Sequence, residues 1–549
     1  MYTKYKIIIL NLKIKILMID NQNHRKYDEE QINSKEYIND LNQNKISLRK
    51  FKNNVLLKRK REYLRLHFEE KTNQKISKEQ QFNIINFDKS FNIINMYLAS
   101  NNPDLIEYCL IEICNYFQIY FPKINEQKKI KETKFLNTLL YFGYKFINEK
   151  NDTNLSYILT IIINIQYFEE RNYNYTEDLY SEEYFRFYNN CILYAENSRN
   201  NEYRSLIYKK IVMIFNVMAF NDNCPNYDLN LLLLRSTSFL NILNYFEEKN
   251  IKDFEEIKSI IELITFVVGL CDDENTILKK DDIKMIDKCL NILISELYNN
   301  SKEEILVKIY EGIRNISDMD DEYKLNKKII NEGVTLKILK MKFNNINPTE
   351  NYIKIIQYCM MILANNLTSS DKSCQIIYDQ NIIDYYNNIL EKFDDNKKIV
   401  KYILSGLANI SIGSNKEIIK YSIIWQEQRI IKYLSFNDEI VHKMIKIVKY
   451  FLYNANFESI QFIFNTNVLK YFMDLFVAGN IGRFISWKIL CIIDNYLKLF
   501  KSELKGTKEY LLIFNQYKDI FTNCEKVLLL RMENNDISDI EERIKNNYE

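Results

Sequence analysis

Across 549 residues the chain has only 9 glycines, 4 prolines, 3 histidines and 2 tryptophans. Strand-rich folds depend on tight turns, and tight turns draw on Gly and Pro, so this scarcity argues for helices joined by short polar loops. The 10 cysteines are scattered with no C-x-x-C pair and only three histidines accompany them, so no metal is expected and the thiols are read as reduced, cytosolic ones. There is no H-E-x-x-H and no G-x-S-x-G, and Gly506-Thr507-Lys508 lacks the glycine-rich loop that cradles a phosphate. Acidic runs such as Asp272-Asp273-Glu274 read as solvated turns. No enzymatic activity and no cofactor are therefore expected.

No long apolar run is present either. Ile7 to Leu10 and Ile16 to Ile19 are flanked or broken by Lys4, Lys6, Lys13 and Lys15, too short for a spanning helix and without the small-residue cleavage site of a signal peptide. A membrane is not expected as a partner. Lys plus Arg number 75 against 73 for Asp plus Glu, which excludes a generally basic nucleic-acid coat; no nucleic-acid partner is expected.

What the chain has is periodicity. Apolar residues recur at three- and four-residue intervals, as in Ile403, Leu404, Leu407, Ile410 and in Ile355, Ile356, Met360, Leu363, which marks the core faces of amphipathic helices. Ile330-Asn331-Glu332-Gly333-Val334, Ile376 to Ile383 around Asn381, and Phe464-Asn465-Thr466-Asn467-Val468 each read as a short helix, a turn at Gly or Asn, and a second helix. Helices then end near Asn315, Asn365, Asn409 and Asn454, at steps of 50, 44 and 45 residues. Armadillo and HEAT units repeat every ~40 to 47 residues, longer than tetratricopeptide or ankyrin units. An array of such units exposes a long surface, suited to recognising something extended. The abundance of Asn, Lys, Ile and Tyr itself reads as base-composition drift.

Ahead of the array, residues 1–46 read as a flexible extension, with Met18 an alternative start. Residues 47–76 are basic: Arg49, Phe51 and Lys52 lead into Lys58-Arg59-Lys60-Arg61, four cations with no acid between them. The array is assigned to residues 77–549.

On these residues the chain resembles a divergent importin-α, the nuclear-import adaptor, from about Ser47 to Glu549. The resemblance implies an all-α, right-handed armadillo-repeat superhelix of about ten repeats, entered near Ser100 to Leu105 and closed by Glu525 to Ile537, beside the docking surface of the export receptor. It implies an N-terminal segment (Arg49, Phe51, Lys52, Lys58, Arg59, Lys60, Arg61) that binds importin-β and otherwise occupies the chain's own groove. The second basic cluster of the family is reduced to Arg65, Lys71 and Lys75. It further implies that proteins bearing basic nuclear localisation signals are cargo and that the protein works in cytoplasm and nucleus.

In that family the third helix of a repeat carries a Trp-x-x-x-Asn pair, whose amides grip an extended peptide backbone and whose rings form slots for Lys and Arg. The resemblance places the amide rungs on Asn164, Asn216, Asn315, Asn365, Asn409 and Asn454, with Gly269 in the place of a rung, and Asp371 as a carboxylate for a ligand cation. The ring positions fall on Thr160, Val212, Thr265, Ser405 and Tyr450, so only Tyr450 offers an aromatic face. Losing three rings removes about 2 to 6 kcal/mol of cation binding. Basic peptides would then prefer repeats six to eight. The alternative is a scaffold of the same descent that has lost signal-peptide binding.

Overall fold

The computed structural model describes residues 103, 106–107, 110–111, 113–114, 135–166, 179, 181–198, 200–219, 228–249, 251, 253–269, 278–319, 324–342, 348–368, 370–413, 416–453, 456–478, 485, 488–489 and 492. The basic segment with its seven assigned residues, Asn454, Trp487 and Glu525 to Ile537 lie outside them. The chain divides into two compact units. In Met1–Lys129 with Tyr167–Asn174 and Phe220–Pro225, the described residues are helical, and Ile106, Leu110, Ile113 and Cys114 are buried. All elements below belong to the other unit, Ile130–Gln166, Tyr175–Ala219 and Asn226–Glu549.

Among the described residues there is no strand. The helices are α1 (Phe135–Glu149), α2 (Asp152–Gln166), α3 (Glu182–Asn197), α4 (Asn201–Ala219), α5 (Asp228–Leu234), α6 (Thr237–Lys249), α7 (Phe254–Gly269), α8 (Lys280–Asn299), α9 (Glu303–Ser317), α10 (Leu325–Asn331) and α11 (Val334–Leu339). They continue as α12 (Glu350–Asn366), α13 (Asp371–Tyr378), α14 (Ile382–Phe393), α15 (Lys397–Ile412), two 3-10 turns (Lys416–Tyr421 and Ile423–Trp425), α16 (Glu427–Leu434), α17 (Asp438–Leu452), α18 (Phe457–Asn465) and α19 (Val468–Ala478). In α5–α6–α7, α10–α11–α12 and α13–α14–α15 a short first helix and a second helix lead into a long third helix.

The turn between first and second helices lies where the spacing predicts. Gly333, Asn381 and Asn467 have φ of 76°, 63° and 59°. These are left-handed conformations that Gly takes freely and Asn more readily than other side chains. The third helices start on repeated side-chain caps. Asn151, Asn200, Asp253, Thr349, Asn396 and Asn437 accept from the backbone N–H groups of Asn154, Tyr203, Glu256, Tyr352, Ile399 and Ile440. Each cap satisfies an orphan donor and contributes about 1 kcal/mol. These asparagines therefore have a structural use that a composition argument overlooks.

Third helices stack directly on one another in chain order: α2 on α4, then α7, α9, α12, α15 and α17. The predicted apolar faces are their contacts: Ile355, Ile356, Met360, Leu363, Ile403, Leu404, Leu407 and Ile410 are at most 2% exposed. Trp425, off the stack, closes a 3-10 turn, its indole N–H donating to the Ile419 carbonyl at 2.6 Å and its ring standing edge-on to Phe462. Arg235 grips Asp282 with two parallel hydrogen bonds of 2.7 Å. That guanidinium, ahead of the Lys279 N–H at 2.8 Å, holds the buried carboxyl below the usual carboxylate range.

Close packing needs glycine at one place in particular. A Cβ at Gly406 of α15 would run into the Tyr386 hydroxyl of α14 and meet its Cζ at 3.0 Å. Overpacking costs about 1 to 3 kcal/mol, against about 0.5 to 1 kcal/mol that Gly→Ala returns in a helix. Gly406→Ala is therefore expected to lower unfolding stability by about 1 to 2 kcal/mol. Because the Tyr386 hydroxyl is buried without a hydrogen-bond partner, the same change in a Tyr386→Phe background should cost little; equal losses in both backgrounds in thermal or denaturant unfolding would refute the contact as the cause.

Candidate functional site

The stacked third helices bring their rung positions and those four and eight residues before them side by side; these are buried on α4 and half-buried on α12 and α15. Four of the rung amides are bonded to neighbouring helices. Asn409 of α15 donates through Nδ2 to the Ala364 carbonyl, 2.9 Å away in the last turn of α12. Asn365 of α12 donates to the Ser317 hydroxyl of α9 at 3.1 Å, and Asn315 of α9 to the Thr265 carbonyl of α7 at 3.2 Å. Asn216 of α4 donates to the Ser259 carbonyl of α7 at 2.9 Å and is only 2% exposed. Four of the eight residues assigned to peptide binding thus tie neighbouring third helices together.

The missing rung at Gly269 has a steric reason. A Cβ there would lie 2.7 Å from Asn315 Nδ2. The Asn315 amide reaches back one repeat and fills the space a side chain at 269 would need. Its oxygen in turn accepts from Arg314 at 2.9 Å.

The remaining assigned residues are placed as follows. Asn164 is half-buried in α2, and its Nδ2 has no partner; nor has the Asn216 Oδ1 on the adjacent rung. Asp371 is the first residue of α13, capped by Ser370, and its side chain lies outside the described residues, as does Asn454. Tyr450 is half-buried in α17, with the Lys449 ammonium 5.8 Å from its ring centroid.

The ring positions without rings are filled by the protein itself. At Thr160 the Lys210 ammonium of α4 donates to the Ser156 carbonyl and hydroxyl, both at 2.8 Å, and to the Thr160 hydroxyl. Val212 and Thr265 are buried, Thr265 donating its hydroxyl to the Lys308 carbonyl at 2.8 Å. Ser405 turns its hydroxyl onto the Lys401 carbonyl of its own helix at 2.9 Å. The half-buried Met213, Met361 and Tyr402 complete the apolar part of the face, together with Tyr358, whose hydroxyl is pushed up by burial and by the Glu311 carboxylate.

Charge is unevenly spread along this face. On α7 and α9 it is paired: Lys258 with Glu304 at 3.1 Å, Lys308 with Glu311 at 2.7 Å, Arg314 with Asp318 at 2.6 Å. On α17 it is not. Lys443, Lys446 and Lys449 follow at three-residue steps, with Lys401 of α15 and Lys488 beside them and Glu439, bonded to Lys401, as the carboxylate among them. Burial and then Lys446 hold the Lys443 ammonium below its ordinary value, and burial and the same lysines do so for Lys488. Burial first, then Lys488, Lys446 and Lys443, bring the His442 imidazole down to about 4. Among the described residues no group of three or more His, Cys, Asp or Glu side chains could hold a metal, and no helix is long and apolar enough to cross a membrane.

The His442 shift has a readable consequence. The ring is neutral in the folded chain at neutral pH, whereas the unfolded chain takes up its proton at ~6.5. Its contribution to stability is therefore complete above pH 6.5 and is lost as pH falls toward 4. With three histidines in the chain, selective labelling should give one imidazole resonance titrating near 4 and missing in His442→Gln; titration of that resonance at 6 or above would contradict the cationic surroundings.

No family profile and no curated protein matches the chain. Its likeness is to solved structures. An engineered protein solved by a structural-genomics consortium superposes with a TM-score of 0.60 at 13% identity, over 84% of this chain and 98% of its own. A chain from work on a phosphorylation switch controlling the interaction between cadherin and beta-catenin gives 0.51 at 10% identity, over 84% and 95%. A designed armadillo repeat protein in complex with the peptide (KR)4 covers 46% of this chain and 98% of its own, with a TM-score of 0.37 at 16% identity. With its stacked three-helix units, the chain has the armadillo-repeat solenoid fold.

Proposed function

We propose that the chain is an armadillo-repeat interaction scaffold that holds an extended segment of another protein along its third-helix face and performs no chemistry on it. One observation carries the reading. The positions at which a cation-binding ladder needs free amides and ring slots are engaged by the chain's own groups: Asn409, Asn365 and Asn315 by the preceding helix, and Thr160 by Lys210. What remains on the face is apolar and polar surface around Met213, Met361, Tyr402 and Ser405, which suits side-chain recognition of a ligand more than a uniform grip on a basic backbone.

Selection from a random-sequence peptide library on the full chain tests this. Enriched peptides should cross-link to photoreactive residues placed at Met213, Met361 or Ser405. Failure to enrich any peptide, or cross-links confined to positions off this face, would sink the reading. Independently, Asn409→Ala should lower stability by about 1 kcal/mol, the net worth of one hydrogen bond.

A second reading is the nuclear-import adaptor, carrying proteins with basic localisation signals, binding importin-β through residues 47–76, meeting the export receptor, and moving between cytoplasm and nucleus. The basic segment at residues 47–76 favours it; the unpartnered donor of Asn164 and acceptor of Asn216 are buried, so a peptide backbone reaches them only if the side chains over them shift. On this reading a Ser47 to Lys75 peptide binds importin-β, and a bipartite basic peptide binds the chain saturably and is lost on Asn164→Ala and Asn216→Ala. Absence of both interactions, with folding intact, leaves the scaffold.

A further inference from the structure

The lysines of α17 gather positive charge, and the stacked face gives them a use. Lys443 and Lys446 lie eleven and eight residues before the rung position 454, level with Lys398 and Lys401 on α15 and one helical turn before the positions that match Tyr402 and Ser405. Lys449 is exposed one position from the half-buried Tyr450. Two large apolar side chains are exposed at the ends of the same helices: Ile412 at 61% and Tyr453 at 70%. Among the described residues no carboxylate forms an ion pair with Lys443, Lys446 or Lys449; Glu439, the carboxylate nearest to them, is bonded to Lys401.

Like charges gathered on one helix face raise the energy of the free protein, and an anionic ligand removes that cost. We infer that the face formed by α15 and α17 docks a carboxylate-rich, extended segment of a partner protein, its acids meeting Lys443, Lys446 and Lys449 and its apolar residues meeting Ile412 and Tyr453. The inference rests on the scaffold reading and gives it a chemical class of partner. It also separates the two ends of the array: the far end, to which the family resemblance assigned basic peptides, is the end that repels them.

Charge along the face favours a peptide over a nucleic acid. A phosphate backbone carries a charge at every step, and past α15 and α12 it would run over the face of α9, where Glu311 and Glu304 already neutralise the lysines. A peptide places acids only opposite the lysines. An extended chain advances ~3.3 Å per residue and neighbouring helices stand ~10 Å apart, so about three residues cover each helix step.

The probe is a fluorescent peptide of about 12 residues alternating Glu with Leu and Ala, long enough for about four helix steps, titrated against the full chain by anisotropy. Matched peptides carry Gln or Lys in place of Glu, and an oligothymidylate of equal length is a fourth probe. The Glu peptide should bind saturably, about tenfold or more tightly than the Gln peptide, and weaken about tenfold in Lys443→Glu with Lys446→Glu. Lys449→Glu, at an exposed position that folding tolerates, should weaken it about threefold on the same scale. Binding should also fall as salt is raised to about 1 M, where screening shrinks to ~3 Å. Equal affinity for the Glu and Gln peptides, unmoved by the lysine variants, overturns the inference and leaves the scaffold intact. Tighter binding of oligothymidylate, lost in those variants, overturns it in favour of a nucleic acid. Binding of none of the probes also overturns it, and the library selection then judges the scaffold separately.

Discussion

Everything in this unit depends on one third helix lying against the next. Ile355, Ile356, Ile403 and Leu404 are buried in the stack where α12 and α15 touch, and third helices touch at every step from α2 to α17. Such stacking leaves each helix with backbone carbonyls in its last turn that no residue of its own can satisfy. The rung amides meet that need at Ala364. The interaction that holds the stack in register is therefore made by the very side chains that an open binding ladder would require to be free.

This conflict shapes the surface. An amide whose one N–H is bonded to a neighbouring helix is held in that orientation, so a ligand backbone can meet only its second N–H and its carbonyl oxygen. A slot that Lys210 already occupies must be vacated before a ligand cation enters it. Recognition is then left to the side chains between the rungs, and their character changes along the array from paired charge on α7 and α9 to surplus positive charge on α17. A solenoid can do this because each repeat contacts only its neighbours, so one stretch of the face alters its chemistry without disturbing another.

Much of the architecture was legible in the chain itself. The apolar spacing in α12 and α15 marks their buried faces correctly, and Gly333, Asn381 and Asn467 sit at the left-handed turns that a helix, turn and helix pattern implies. The recurring caps at Asn396, Asn437 and Asn151 could have been found too, since each stands just before the first turn of an amphipathic segment; heavy Asn usage across the chain hid them. The lysines at 443, 446 and 449 were equally visible at helical spacing, but a charge run on a helix is ordinarily a solvated face, and nothing local distinguishes one that faces its neighbours' lysines.

Local periodicity determined that this chain is all helix, that the helices come in units of near-constant length, and that each carries one buried stripe, because those properties depend on residues three or four apart. Which way the rung amides point, why position 269 has no side chain, and where positive charge accumulates were decided by tertiary structure alone. Those outcomes depend on groups roughly one repeat apart, such as Asn315 against Thr265 and Gly269, or Lys210 against Thr160. Only stacking brings such pairs within hydrogen-bond reach.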